Sequence, residues 1–194
     1  GTDDACGVAG DRTGMMKTLC LQPPSFDGFD GGAGSRYQAR REIRSFWYPT
    51  WLAQPAALVP GSKLIDAPPA RIGLDTVVAQ ARNYELCVIH TSAPSFAADA
   101  RVAQALKDAN PALRIGFVGA KVAVQPEESL KQAPAIDFVA RNEFDFTIRD
   151  VAEGRDLAAI DGISHRGADG AIVHNRDRAM IEDMDSLPFV TEVY

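Results

Sequence analysis

Between Gly34 and Trp51 the chain sets four arginines, Arg36, Arg40, Arg41 and Arg44, among five aromatic residues, Tyr37, Phe46, Trp47, Tyr48 and Trp51. Guanidinium and aromatic groups at this density can do three things. They can grip a nucleic-acid backbone, lie on an anionic membrane surface, or cover a large flat cofactor. The chain as a whole carries a net charge of −6, with a pI near 5.0. That argues against general nucleic-acid binding, which needs an excess of Lys and Arg. The remaining chemistry-bearing residues are sparse. His90, His165 and His174 do not cluster in sequence, and Cys6, Cys20 and Cys87 form no CxxC pair, so neither set predicts a metal site. Cys20 and Cys87 sit in apolar runs and read as buried thiols of a reducing compartment. No GxxxxGK[ST] loop, no GxGxxG turn after the first strand and no GxSxG elbow is present. The glycine-rich stretch DGFDGGAG lacks the dinucleotide spacing and does not run into a helix.

The elements that must position such residues alternate. Short continuous apolar runs at 17–22, 62–68, 85–90, 113–120 and 136–140 read as strands. Helical patterns lie between them at 49–60, 74–84, 95–110 and 125–133, and a last one follows at 143–154. The first of these is bent or started at Pro55, Ser95 is placed to cap the helix after the third strand, and Glu143 to open the last helix. Five strands alternating with helices predict a doubly wound parallel α/β sheet, flavodoxin-like and Rossmann-like, covered on both faces. Residues 162–175 read as a C-terminal β-hairpin turning at Asp169-Gly170, and 178–189 as a connector. No apolar run reaches the roughly 20 residues of a membrane span, and the first residues contain no signal-peptide core.

In such a sheet, ligands bind past the carboxyl ends of the strands, where the strand order reverses. The loops there are Gln22–Tyr48, Asp66–Gly73, His90–Ser95, Gly119–Gln125 and Arg141–Phe144. They are rich in Ser, Thr, Gly, Pro and Asn, and hold no dense set of acids and no nucleophile beside a base.

The succession LQPP, YPTWLA, LIDAPP, VIHTSAPSF, ALKDANPALRIGFVGAKV, IDFVARNEFDFTIRDVAEG, IDGISHR and DSLPF resembles the N-terminal domain of cobalamin-binding radical SAM proteins. The stretch from Pro23 to Val59 is especially similar to members associated with hopanoid biosynthesis. The resemblance covers Lys17 to Phe189. It implies a cobalamin-binding-type α/β domain over 15–154, preceded by an upstream extension or cloning scar at 1–14. The hairpin and linker at 155–194 would lead toward a radical SAM barrel outside this sequence. By this resemblance Thr91 and Ser92 would hydrogen-bond the nucleotide tail of the corrinoid. Gly119, Ala120, Lys121, Asn142 and Glu143 stand where the family approaches the cofactor, and Trp47 and Tyr48 would cover it. The family's Gly-Gly-x-His stretch reads Gly119-Ala120-Lys121 here, and its Gly-Glu-Gly-Glu stretch reads Arg141-Asn142-Glu143-Phe144. These departures remove glycines that permit close approach. The DxHxxG motif of cobalamin mutases is also absent, so no protein imidazole is expected beneath cobalt.

The resemblance further implies a 4Fe-4S cluster and S-adenosylmethionine in the following domain, since the cysteine triad for that cluster is absent from this sequence. No catalytic and no metal-ligating residue is assigned to this chain. The expected partners are the chain's own barrel domain and a hopanoid-like lipid substrate undergoing cyclitol ether formation. The expected location is the cytoplasm, with peripheral membrane contact and no nucleic acid. Two alternatives stand beside this reading. One is a scaffold that keeps the fold without cobalamin; the other is half of a nucleotide-sugar glycosyltransferase.

Overall fold

A computed structural model describes residues 14–25 and 48–193 of the 194-residue chain. The five predicted parallel strands form as β1 (Thr18–Gln22), β2 (Lys63–Asp66), β3 (Leu86–His90), β4 (Arg114–Val118) and β5 (Phe138–Ala140). Their spatial order is 2-1-3-4-5, so the order reverses between β1 and β3. β1 is buried along its whole length and β3 along all but its last residue. Both faces of these strands are covered, and an alternating pattern would have left one face wet.

The two faces have separate cores. Cys20, Leu86, Val88, Val118 and Phe138 point to one side, against α1 (Thr50–Leu58) and α7 (Asp145–Ala152). Leu19, Leu21, Cys87, Ile89, Ile115 and Phe117 point to the other. That side is covered by α3 (Leu74–Ala81), α4 (Phe96–Ala109) and α6 (Pro126–Gln132). Gly116 serves this packing directly. A Cβ there would lie 2.1 Å from the Phe138 ring, which crosses over it from the next strand.

Several local expectations shift. Pro55 lies inside α1 and does not start it. The backbone N–H groups of Leu52 and Ala53 donate to the Pro49 carbonyl at 2.9 and 3.0 Å, which closes the first turn. The sequence after β2 folds into one turn, α2 (Ala67–Ala70), because Pro68 and Pro69 suit the first helical positions. Likewise Gly119–Gln125, expected as a loop, contains α5 (Ala120–Val124).

The hairpin does not stand apart from the sheet. β6 (Ile163–Arg166) pairs antiparallel with β5, and β7 (Ile172–His174) with β6, giving seven strands. Its turn is at Asp169-Gly170 as expected. Gly170 has φ 81°, and Asp169 Oδ1 accepts the Ala171 N–H at 3.0 Å. The connector then folds back over the domain. Asn175 Nδ2 donates to the carbonyls of Leu157 and Ile160, Asp177 pairs with Arg141, and Arg178 pairs with Asp150. Gln54 Nε2 on α1 donates to the Pro188 carbonyl at 2.9 Å. No helix among the described residues is long and apolar enough to cross a membrane.

Candidate functional site

The carboxyl ends of the parallel strands present Gln22, Asp66, His90, Gly119 and Arg141 in neighbouring positions. At the reversal point, the chain leaves β1 toward α1 on one face and leaves β3 toward α4 on the other. This divergence opens the crevice of a doubly wound sheet.

The β3 side of the crevice is a closed hydrogen-bond network. Thr91 is fully buried; its hydroxyl donates to Asp99 Oδ2 at 2.7 Å and its N–H to the Val118 carbonyl at 3.0 Å. The Ser92 N–H donates to Ser95 Oγ at 3.1 Å, and the two serine hydroxyls bond each other at 2.9 Å. Ser95 occupies the position before α4, but its side chain makes no cap bond. It turns back to Ser92 instead, which corrects the expectation of a capping serine. Asp99, on the first turn of α4, is 1% exposed, and burial pushes its carboxyl up to about 7.

Gly119 holds the β4 loop against this network. Its φ is 121°, and a Cβ there would lie 2.2 Å from the Thr91 carbonyl oxygen. Glycine is required by the protein's own backbone at this point. Ala120 is exposed. Lys121 donates to Gln125 Oε1 and its ammonium lies 5.1 Å from the Phe96 ring centroid. Asn142 is exposed at φ 54°. Glu143 Oε2 accepts the Ile181 N–H at 2.6 Å, and α7 begins two residues later at Asp145, where the first-turn acid is found. Glu143 therefore ties the connector and does not open the helix.

Arg141 carries more structure than its place in the loop suggested. It is 7% exposed, and its guanidinium donates to the carbonyls of Ile163 (2.8 Å) and Asn175 (2.6 Å), to Ser164 Oγ (2.5 Å) and to Asp177 (2.8 Å).

The α1 side of the crevice has a different character. Trp47 and the arginines from Arg36 to Arg44 lie outside the described residues. Tyr48 is half-buried at its edge; burial and the neighbouring Asp66 charge push its phenol well above the usual range. Burial likewise pushes the Asp66 carboxyl up to about 6. Trp51, on the first turn of α1, stacks on His90 with ring centroids 5.1 Å apart and planes tilted by 39°. Trp51 Nε1 and His90 Nδ1 are both buried, and neither has a hydrogen-bond partner among the described residues. Burial lowers His90 to about 4, so its imidazole is neutral near pH 7.

Sequence reasoning weighed His90 only as a metal ligand, and Trp51 only as one aromatic among five. The available signal was strand period: Leu86, Val88 and His90 share a face, and that face meets α1. His165 and His174 lie on β6 and β7, three and four strands away from β3. Among the described residues no group of three or more His, Cys, Asp or Glu could hold a metal ion.

The donor set can be tested against a corrinoid, a large planar ligand whose periphery carries carboxamides. Half-buried Tyr48, Trp51 and His90 supply aromatic surface suited to a flat ring, while Trp51 Nε1 and His90 Nδ1 are themselves buried. Thr91, Ser92 and Gly119 are occupied by one another.

The chain matches no family profile. It is 24% identical over 183 residues to the uncharacterized methyltransferase PH0819 of Pyrococcus horikoshii, which spans 90% of this chain and 38% of that protein. Its structure is similar to OxsB, a cobalamin-dependent S-adenosylmethionine radical enzyme solved with aqua-cobalamin and S-adenosylmethionine. The TM-score is 0.65 at 13% identity, over 85% of this chain and 23% of that one. It is also similar to TsrM of Kitasatospora setae, a radical S-adenosylmethionine methyltransferase solved with cobalamin and a [4Fe-4S] cluster. There the TM-score is 0.60 at 11% identity, over 88% of this chain and 30% of that one. The chain thus has the α/β fold of a domain found in these larger proteins, and spans well under half the length of each.

Proposed function

We propose that this chain is the corrinoid-binding domain of a larger radical S-adenosylmethionine enzyme, with cobalamin held at the crevice between β1 and β3. The observation that carries this reading is the 2-1-3-4-5 sheet with an aromatic, partly unsatisfied wall at its reversal point. Its likeness to two proteins solved with cobalamin supports it. The 4Fe-4S cluster and S-adenosylmethionine would belong to a following barrel domain. On the similarity of the Pro23–Val59 segment alone, we assign the whole enzyme to hopanoid side-chain maturation, with a membrane lipid as substrate and peripheral membrane contact. When bound, the corrinoid would supply alkyl-transfer or radical chemistry at cobalt. This chain's residues would seat it and exclude water. The test is to incubate the protein with hydroxocobalamin, desalt it and record the visible spectrum. Retained corrinoid absorbance is expected; a colourless protein would overturn the reading.

One observation favours a second reading, a scaffold that keeps the fold without the cofactor. The hydroxyls of Thr91 and Ser92 are buried and bonded internally, to Asp99 and Ser95, which leaves them committed before a nucleotide tail arrives. The same desalting experiment separates the two.

A further inference from the structure

At the end of the sheet opposite the crevice, charged residues from three neighbouring strands meet. Arg114 opens β4, Asp137 immediately precedes β5, and Arg166 closes the antiparallel β6. These strands are consecutive in the sheet, and their pairing sets the three residues within one position of each other in register. Together with Lys107 of α4 they line one cavity of about 280 Å³, whose apolar lining includes Leu113 and Leu157. The charges there do not cancel. Three are positive and one is negative, in a chain of net charge −6. Asp137 is committed to structure: its Oδ2 accepts the Ile115 N–H at 2.7 Å and Lys107 Nζ at 2.8 Å. Lys107 also donates to the Leu113 carbonyl at 2.6 Å, so its position is fixed. Arg166 donates to the Leu130 carbonyl, a neutral acceptor that leaves its charge uncompensated. Arg114 is half-buried, yet its guanidinium has no partner among the described residues. The remaining described arginines that are buried or half-buried, Arg141, Arg149 and Arg178, all pair with carboxylates.

The geometry points to a second binding site, which takes a phosphate-type oxyanion between Arg114 and Arg166. Like charges gathered around one cavity repel, and an anion among them turns that cost into attraction. Guanidinium groups present forked donors that match phosphate oxygens and bind them bidentately. Three cations less one carboxylate leave two positive charges, which a phosphate dianion balances and a carboxylate ligand would only halve. The volume holds the anion with several waters, each of which fills about 30 Å³ in the liquid. A long cationic side chain can also lie over apolar surface with its head in water, and Leu157 offers Arg114 such a surface. That accounts for one arginine, but not for two uncompensated arginines and a fixed lysine lining the same space.

The test titrates the whole 194-residue chain with inorganic phosphate and with glycerol phosphate, at constant ionic strength balanced by chloride. Binding is followed by NMR of the arginine side-chain N–H groups and by melting temperature. The Nε–H signals of Arg114 and Arg166 are expected to shift together and saturably, and the melting temperature to rise with ligand concentration. Arg114→Gln breaks no protein bond, so it should bind about tenfold more weakly or worse, as for a lost charged hydrogen bond, with the ligand-free melting temperature unchanged. Arg166→Gln should weaken binding to a similar degree. Arg82→Gln removes the same charge from an exposed position on another helix end, and should leave affinity within about twofold of wild type. Saturable binding of either ligand at the two arginines supports the inference, and the tighter one tells whether the site takes free phosphate or a phosphoryl group on a larger molecule. A response no greater than that to chloride overturns it. So does an Arg82→Gln effect as large as that of Arg114→Gln, which would assign the response to net charge. The cavity and the crevice lie at opposite ends of the sheet, so failure here leaves the corrinoid reading standing, and failure of that reading leaves this site standing.

Discussion

Replacing Arg141 by methionine should release the hairpin and the connector from the end of β5. The guanidinium reaches three neutral acceptors: the Ile163 carbonyl at 2.8 Å, the Asn175 carbonyl at 2.6 Å and Ser164 Oγ at 2.5 Å. Its fourth partner, Asp177, is 71% exposed, so that ion pair is screened by water and contributes little. Each bond from a charged donor to a buried acceptor is worth roughly 1.5–3 kcal/mol net. The two carbonyls lie at the open end of the sheet and can regain some water once the side chain shrinks. The expected cost is therefore about 3–5 kcal/mol, or roughly 10 °C in melting temperature for a chain of this size. Arg141→Lys keeps the charge but places one ammonium where a fork reached four partners, so it should fall between. Urea unfolding gives the energy, and hydrogen exchange locates it, with amides of β6, β7 and residues 175–181 exchanging faster than those of β3. An Arg141→Met protein that melts within about 2 °C of wild type, with unchanged hairpin exchange, would refute the reasoning.

Asp99 and His90 should drive stability in opposite directions across mildly acid pH. Burial raises Asp99 from 3.8 to about 7, so its contribution is complete below pH 4 and is lost as pH rises through about 7. His90 is lowered from 6.5 to about 4, so its contribution is complete above pH 6.5 and is lost as pH falls toward 4. Melting temperatures between pH 4 and 8 should therefore show Asp99→Asn removing a decline on the alkaline side, on the order of 4 kcal/mol. His90→Phe should remove a decline on the acid side, and curves superimposable on wild type would contradict both assignments. Gly119→Ala forces a Cβ to within 2.2 Å of the Thr91 carbonyl at φ 121°; denaturant titration should show a loss on the order of 3 kcal/mol. Gly116→Ala would drive a Cβ into the Phe138 ring. It should be strongly destabilising alone and partly rescued by Phe138→Leu, whereas additive losses would mean that the ring does not sit there.

The parallel sheet was legible because its signal is local. A strand buried on both faces must be apolar at every position, and Leu19-Cys20-Leu21, Leu86–Ile89 and Ile115–Val118 are. The hairpin was legible as a hairpin from Asp169-Gly170, but not as the sixth and seventh strands of the sheet. Its buried residues include Ser164 and His165, adjacent polar residues on opposite faces whose burial depends on Arg141, Phe138 and Val139 far away in sequence. Ser95 misled for a related reason. Its place before α4 predicts a cap, but Ser92 and Asp99 compete for the same hydroxyl, and that competition exists only once the β3 loop has folded. Arg141 was given no structural role from sequence, because composition cannot distinguish a solvent-facing guanidinium from one folded onto carbonyls 22 and 34 residues away.

The two walls of the crevice divide the labour that a ligand site requires. On the β3 side, Thr91, Ser92, Ser95 and Asp99 satisfy one another around a glycine that tolerates no Cβ. Such a wall cannot rearrange cheaply, because breaking any one bond leaves a buried group unpaired. On the α1 side, aromatic rings stand half-exposed with polar atoms unpaired, at a helix whose outer face is held by the connector through Gln54 and Pro188. Specific recognition needs both a rigid reference and exposed surface that a partner can cover. Hydroxyl-bearing residues at a strand end invite assignment as ligand contacts by their chemistry alone, but here their bonds are already made. The capacity to bind is therefore expected where ring surface remains open, at the half-exposed faces of Trp51 and His90. It should respond to substitutions there far more than to Ser92→Ala, which removes a hydroxyl bonded only within the protein's own loop.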